Sequence, residues 1–387
     1  MSSVLEIAKK LNKEFQNNKL ALVADLTPFY KRLAVRDLGF DFPLYGGLPF
    51  GRIITLSGRE HSGKTLGAGV ILSAYQYACP DKMCAYIDVE HSLDKAFIAN
   101  MTGLDLTKLL YINPENMSGE QILDLVLELQ DAEDIGCIVL DSIPAMESGK
   151  ELENDIEKDL GRSGNMARPL HKFTKRMADL VSAKNNMFIF INQVRVADKT
   201  FTGANVYSEP GGDAPKYYAS VKIRFGTRTF TQGDKVDCID GEKADGFRLK
   251  FAITKNKTAP TQRGGGFLTF RYDRGLDWFY DTLEVALKYD FIQRPTSQSY
   301  VLVDLNSGEV YKDEEGNDLR FVGKAKVKEY LMTHVDFQVK YLDMLNKYIA
   351  ASQNVYGSLL DERSLKEINE EESSVEKTQK KKENEEF

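Results

Sequence analysis

The chain is poor in the residues that build metal centres and covalent frameworks. It has one tryptophan, four histidines and four cysteines in 387 residues. The cysteines are Cys79, Cys84, Cys137 and Cys238. None forms a C-x-x-C pair, and none stands at zinc-ligand spacing from a histidine. They read as reduced, structural residues of a reducing compartment. No apolar run approaches the ~18 residues that a membrane helix needs. The first twenty residues carry charges throughout and lack the apolar centre of a secretion signal. The expectation is a cytoplasmic protein with no membrane partner. The formal net charge of −7 gives no global positive field, so any nucleic-acid surface must be local.

What is present is an ordinary globular composition, 42% hydrophobic and 28% charged. At roughly 150 residues per domain, the length suits two or three domains. Val4, Ala8, Leu11 and Phe15 lie on one face of an amphipathic helix within a segment covering 1–34. That face can pack on its own domain or on a neighbouring subunit. From 35 to 290 short apolar runs alternate with helical stretches. The runs at 53–57, 84–88, 137–141, 187–192, 219–225 and 247–253 predict strands, and Ser118 with Gln121 predicts a capped helix start. This alternation predicts an α/β core, a mostly parallel sheet with helices on both faces and ligands at the carboxyl ends of the strands. From 291 to 352 the texture changes to a hairpin around Asn306-Ser307-Gly308 and two helices, a small α+β C-terminal domain. The stretch 353–387 is almost entirely charged and polar and predicts a disordered tail.

The strongest chemical signal is Gly58-Arg59-Glu60-His61-Ser62-Gly63-Lys64-Thr65, which matches G-x-x-x-x-G-K-[ST]. Glycines in such a loop let backbone N–H groups turn inward around phosphate oxygens. Lys64 would reach the β- and γ-phosphates, and the Thr65 hydroxyl would bind Mg²⁺. A β-rich run precedes the loop and a helical run follows it, so the context supports ATP with Mg²⁺ as the ligand. The apolar strand ending at Asp141 supplies the second metal-binding group. Glu90, where another strand runs into acidic residues, is the candidate base for the attacking water, or else a solvated loop carboxylate. Gln193 ends a third strand and either senses the γ-phosphate or is a surface polar residue.

Several stretches, in order, resemble the RecA family of homologous recombinases. They are 47–53 leading into the phosphate loop, 84–94 around Glu90, 190–195, 211–220 and 255–260. The similarity covers about 44 to 291 and continues weakly to about 349. It implies a RecA-type P-loop NTPase core preceded by an N-terminal helical oligomerisation segment. It implies that Glu90 activates water and that Gln193 links the γ-phosphate to a DNA loop. Lys255 and Lys257 would contact ATP bound to the next subunit. Asp94 and Phe97 would serve the nucleotide, Phe97 replacing the tyrosine on which the family usually stacks adenine. Asp213 and Pro215 also depart from the family pattern, and the divergence suits a phage-encoded member. The implied activity is a DNA-dependent ATPase that forms filaments on single-stranded DNA and exchanges strands with homologous duplex. Its partners would be single- and double-stranded DNA, further copies of itself, and a single-strand binding or mediator protein.

The DNA surface is less legible. Arg162, Arg168, Lys172, Lys175 and Arg176 fall in a stretch without Asp or Glu. Such a run is a solvated face unless DNA covers it. A second loop, 196–212, reads as a mobile segment without structure of its own. With Arg195 just before it, it offers Lys199, Phe201, Tyr207, Gly211 and Gly212. Its charges balance, Lys199 against Asp198 and Glu209, so the resemblance carries the claim of DNA binding there. Two other readings remain: a RecA-fold ATPase without strand exchange, and a small-molecule phosphotransferase, for which no acceptor pocket or lid segment is visible.

Overall fold

The fold is known from a computed structural model that describes residue 13 and residues 31–149, 166–199, 205–226, 234–235, 246–259 and 263–353. The expected N-terminal helix, Arg162, Phe201, Cys238 and the acidic tail lie outside the described residues.

A central sheet organises the chain. Its parallel part contains β1 (Arg52–Gly58), β2 (Met83–Asp88), β3 (Leu109–Ile112), β4 (Ile135–Asp141) and β5 (Met187–Gln193). After the ribbon strands β6 (Arg195–Lys199) and β7 (Asn205–Ser208), the sheet resumes with β8 (Val221–Phe225), β9 (Gly246–Asn256), β10 (Gly265–Arg271) and β11 (Gly275–Leu276). The spatial order is β11-β10-β9-β8-β1-β5-β4-β2-β3, with Asp234–Lys235 also paired to β9. The six strands from β8 to β3 run parallel; β9, β10 and β11 join antiparallel.

The near-continuous apolar runs follow from burial on both sides. Side chains alternate across a strand, so each run divides between two cores. Ile54, Leu56, Tyr86, Val139, Ile189 and Ile191 face one core, packed against α1 (Lys64–Ala78) and α2 (Lys95–Thr102). Ile53, Ile87, Ile138, Leu140, Phe188 and Phe190 face the other, packed against α3 (Gly119–Asp131) and α4 (Ala167–Lys184). Phe173, Phe188 and Phe190 stack edge to face there, each pair adding about 0.5–1.5 kcal/mol beyond area burial. The capping box predicted at Ser118 and Gln121 is present in full.

After the short helix α5 (Ala214–Tyr218), the chain enters β8 at Val221, two residues later than the apolar run suggested. Beyond β11, α6 (Trp278–Lys288) leads to β12 (Ser299–Val301), β13 (Arg320–Val322), α7 (Lys324–Thr333) and α8 (Val335–Gln353). The expected hairpin around Asn306–Gly308 is closed by a bridge between Val303 and Val310. A third core joins Tyr300, Leu302, Val327, Leu331 and Tyr341 to Leu283 and Leu287 of α6 and to Leu38 and Phe42. No helix among the described residues is long and apolar enough to cross a membrane.

Near that third core lies a buried pair of acids. Asp37 caps the Leu38–Asp41 helix by accepting the Gly39 N–H at 2.8 Å. Its carboxyl also meets Asp281, which accepts from the Thr269 N–H at 2.6 Å and from the Thr269 hydroxyl. Burial, then the Asp281 charge, holds Asp37 well above the carboxylate range, and burial pushes Asp281 to about 7. Two carboxyls in contact must hold a proton between them. The folded state therefore binds more protons than the unfolded chain between about pH 4 and 7, and stability falls as pH rises through that window. Asp37→Asn keeps the cap and supplies an N–H to Asp281. We expect it to match the wild type in thermal melting at pH 5 and to melt higher at pH 8.

Candidate nucleotide and metal site

The carboxyl ends of β1, β5, β4 and β2 meet at one level. The pairing sets Gly58 beside Gln193 and Asp88 beside Asp141. The end of β1 has no room for a side chain at Gly58. A Cβ on Gly58 would sit 2.2 Å from Ser62 Oγ and 2.8 Å from the Phe225 carbonyl oxygen. Gly63, left-handed at φ 87°, caps α1 without a side-chain acceptor, so the first-turn N–H groups of that helix remain for an anion. Lys64 Nζ folds back on the loop, donating to the Arg59 carbonyl at 2.8 Å. Burial lowers its pKa, and the charges of Asp141, Glu90 and Glu60 oppose that shift. Ser57 and Ser62 have buried hydroxyls that find no partner among the described residues. Arg59, Glu60 and His61 are exposed along the lip of the turn.

Glu90 lies in the same cluster. Its Oε1 accepts from Gln193 Nε2 at 2.9 Å and from the Ser142 hydroxyl. Both donors fall on one oxygen, and among the described residues Oε2 receives no hydrogen bond. Asp141 is buried at 3% exposure, and its Oδ2 accepts from the Tyr86 hydroxyl. Burial pushes its carboxyl up to about 6 against the Tyr86 bond and the Lys64 charge, with Glu90 and Asp88 adding to the rise. Hydroxyl and carboxylate oxygens, from Thr65 and Asp141, suit a hard cation such as Mg²⁺. Asp94 caps α2, accepting the Phe97 N–H at 3.0 Å, and Phe97 is 47% exposed and open to stacking. Ser142 and Tyr86 are the site residues that sequence reasoning passed over. Ser142 follows Asp141 directly, and that adjacency was its one signal.

Lys255 and Lys257 stand apart from this cluster. Lys255 Nζ donates to the carbonyls of Lys216 and Tyr217 at 2.5 and 3.1 Å, and Lys257 Nζ donates to the Tyr217 carbonyl at 2.9 Å. Burial, with the neighbouring Lys257 and Lys222 charges, lowers Lys255 to about 8. Among the described residues neither lysine meets a carboxylate.

The expected nucleic-acid residues are only partly placed. Arg168, Lys172, Lys175 and Arg176 are exposed on α4, opposite its buried face of Leu170, Phe173, Met177 and Val181. The second loop corrects the reading of a structureless segment. Arg195–Lys199 pairs with Asn205–Ser208 as an antiparallel ribbon that holds Arg195, Lys199 and Tyr207. Val196, Val206 and Tyr207 are the β-favouring residues that support it. Gly211 and Gly212 follow with φ of 93° and 74°. Glu209 corrects the charge balance drawn for the loop. Its side chain is 5% exposed and pairs with Lys222 of β8 at 2.8 Å, so its charge is spent inside the fold.

A strand–loop–helix phosphate cradle, with acidic groups on the neighbouring strand ends, defines a P-loop NTPase. The family model for the RecA N-terminal domain matches residues 5–277. Protein RecA of Ruminococcus albus is 32% identical over 307 residues, 79% of this chain and 69% of that protein. Protein RecA of Mycoplasma pneumoniae is 33% identical over 296 residues, 74% of this chain and 84% of that protein. Protein RecA of Thermus aquaticus is 30% identical over 351 residues, 89% of this chain and 94% of that protein. The chain belongs to the RecA family, the ATP-dependent recombinases of recombination and repair.

The Glu209–Lys222 pair yields a stability prediction. Removing one partner of a buried ion pair costs about 3–5 kcal/mol, so Glu209→Ala should lower the denaturation midpoint accordingly. Lys199→Ala, on the ribbon, should leave it nearly unchanged. Equal midpoints for Glu209→Ala and the wild type would remove the pair from the account.

Proposed function

We propose that the chain is a DNA-dependent ATPase that assembles as a filament on single-stranded DNA, pairs that strand with homologous duplex and exchanges strands in the cytoplasm. The observation that carries this reading is Glu90 held by Gln193 and Ser142 beside Lys64, within a chain of the RecA family. On ATP binding, Lys64 leaves the Arg59 carbonyl for the β- and γ-phosphates. The Gly63 turn and the start of α1 donate N–H groups to the same oxygens. Thr65 and Asp141 would hold Mg²⁺, whose bound charge neutralises the phosphate oxygens. Glu90 Oε2 takes the proton of the attacking water, while Gln193 fixes the carboxylate at Oε1.

Gln193 is also the last residue of β5, and only Val194 separates it from the strand Arg195–Lys199. A shift at the γ-phosphate therefore has a short covalent route to the loop that would hold DNA. Lys255 and Lys257, resting on carbonyl dipoles, suit an anion brought by another subunit, which makes ATP an adhesive between neighbours. Arg168 and Lys172, the Arg195–Lys199 ribbon and the glycine pair would carry DNA. A single-strand binding or mediator protein is a further partner.

ATP turnover measured with and without single-stranded DNA tests the reading. Turnover should rise on DNA, and Lys64→Ala should abolish it. A mixture of Lys64→Ala and Lys255→Ala chains should regain part of the turnover that each lacks alone. Turnover indifferent to DNA would favour a RecA-fold ATPase without strand exchange. Phosphate transfer to an acceptor other than water would favour a phosphotransferase.

A further inference from the structure

Two carboxylates reach the carboxyl edge of the sheet side by side, Asp88 on β2 and Asp141 on β4. Their surroundings differ. Asp88 is consumed by structure. Its Oδ1 accepts from the Ser92 N–H at 3.3 Å, and its Oδ2 accepts from the Leu93 N–H at 2.9 Å and the Tyr111 hydroxyl at 3.0 Å. Those bonds fold the turn that carries the chain on towards Asp94. Asp141 receives a single side-chain bond among the described residues, from the Tyr86 hydroxyl to Oδ2. Its Oδ1 keeps its lone pairs.

Tyr86 is 1% exposed, with its ring in the core between the sheet and α1. Its oxygen does more than satisfy itself. The hydroxyl donates to Asp141 Oδ2, and the Thr65 side chain lies near the same tyrosine oxygen. One tyrosine oxygen is therefore bonded to Asp141 and lies close to Thr65. Tyr86 pins one oxygen of Asp141, so this carboxylate is orientated before a cation arrives.

We infer that Tyr86 is a positioning residue for the divalent cation, acting through its hydrogen bond to Asp141. This deepens the ATPase reading and rests on it. Loss of a hydrogen-bond partner behind a metal ligand weakens metal binding about 10–100-fold. Phenylalanine keeps the ring and its packing and removes only the hydroxyl, so it separates positioning from space-filling.

The experiment compares the full-length wild type with Tyr86→Phe, using Mn²⁺ as the probe. Mn²⁺ binding is followed by electron paramagnetic resonance with a slowly hydrolysed ATP analogue present. Analogue binding without divalent cation and thermal melting are measured alongside. We expect Tyr86→Phe to bind Mn²⁺ at least about tenfold more weakly, with cation-free analogue binding and melting close to the wild type. Equal Mn²⁺ affinity in the two proteins overturns the assignment. So does a loss of Mn²⁺ affinity matched by an equal loss of cation-free analogue binding, because the hydroxyl would then support the loop and not the cation. If the wild type itself shows no Mn²⁺-dependent analogue binding, the ATPase reading beneath the inference fails instead.

Discussion

The molecule depends on the register of four adjacent parallel strands. Gly58, Gln193, Asp141 and Asp88 are far apart in sequence, and backbone pairing alone brings their strand ends to one level. Because side chains alternate between two buried faces, a slip of one residue would turn every strand inside out. Burial on both faces therefore holds the register, and the register holds the chemistry. The Gln193–Glu90 bond spans 103 residues and the Ser142–Glu90 bond spans 52. Neither is possible without that alignment.

The same alignment explains how a local event at the phosphates can reach the rest of the chain. Gln193 ends β5 and touches Glu90, and the next strand starts two residues later. The far end of the ribbon is anchored by Glu209 on Lys222, and Lys222 lies beside Lys255 in the β8–β9 pairing. The ribbon thus begins at the nucleotide cluster and ends near the lysines proposed to reach a neighbour. A two-state movement of the ribbon would couple these sites without a long chain of intermediates.

Much of this was legible in the sequence. Continuous apolar runs marked the doubly buried strands, the glycine pattern marked the phosphate turn, and Ser118 with Gln121 marked the start of α3. These signals are local. What escaped depends on distance or on disguise. Tyr86 sits inside an apolar strand and reads as core, which its ring is; only its hydroxyl acts. Ser142 looks like any small residue after a strand. Glu209 looked like a surface charge because its partner is on another strand. The ribbon in the second loop was missed because polar residues surround its few β-favouring ones. Strand β10 opens on two glycines and β11 is only two residues long, so neither gave a clean period.

The proposed hydrolysis depends on Glu90 taking a proton from water, with Oε1 held by Gln193 and Ser142. Glu90→Gln preserves size and removes that basicity. Single-turnover hydrolysis beside ATP binding in this variant is the most direct measurement. The account predicts ATP binding close to the wild type and hydrolysis slowed by at least about a hundredfold. Hydrolysis at the wild-type rate with ATP bound would contradict it.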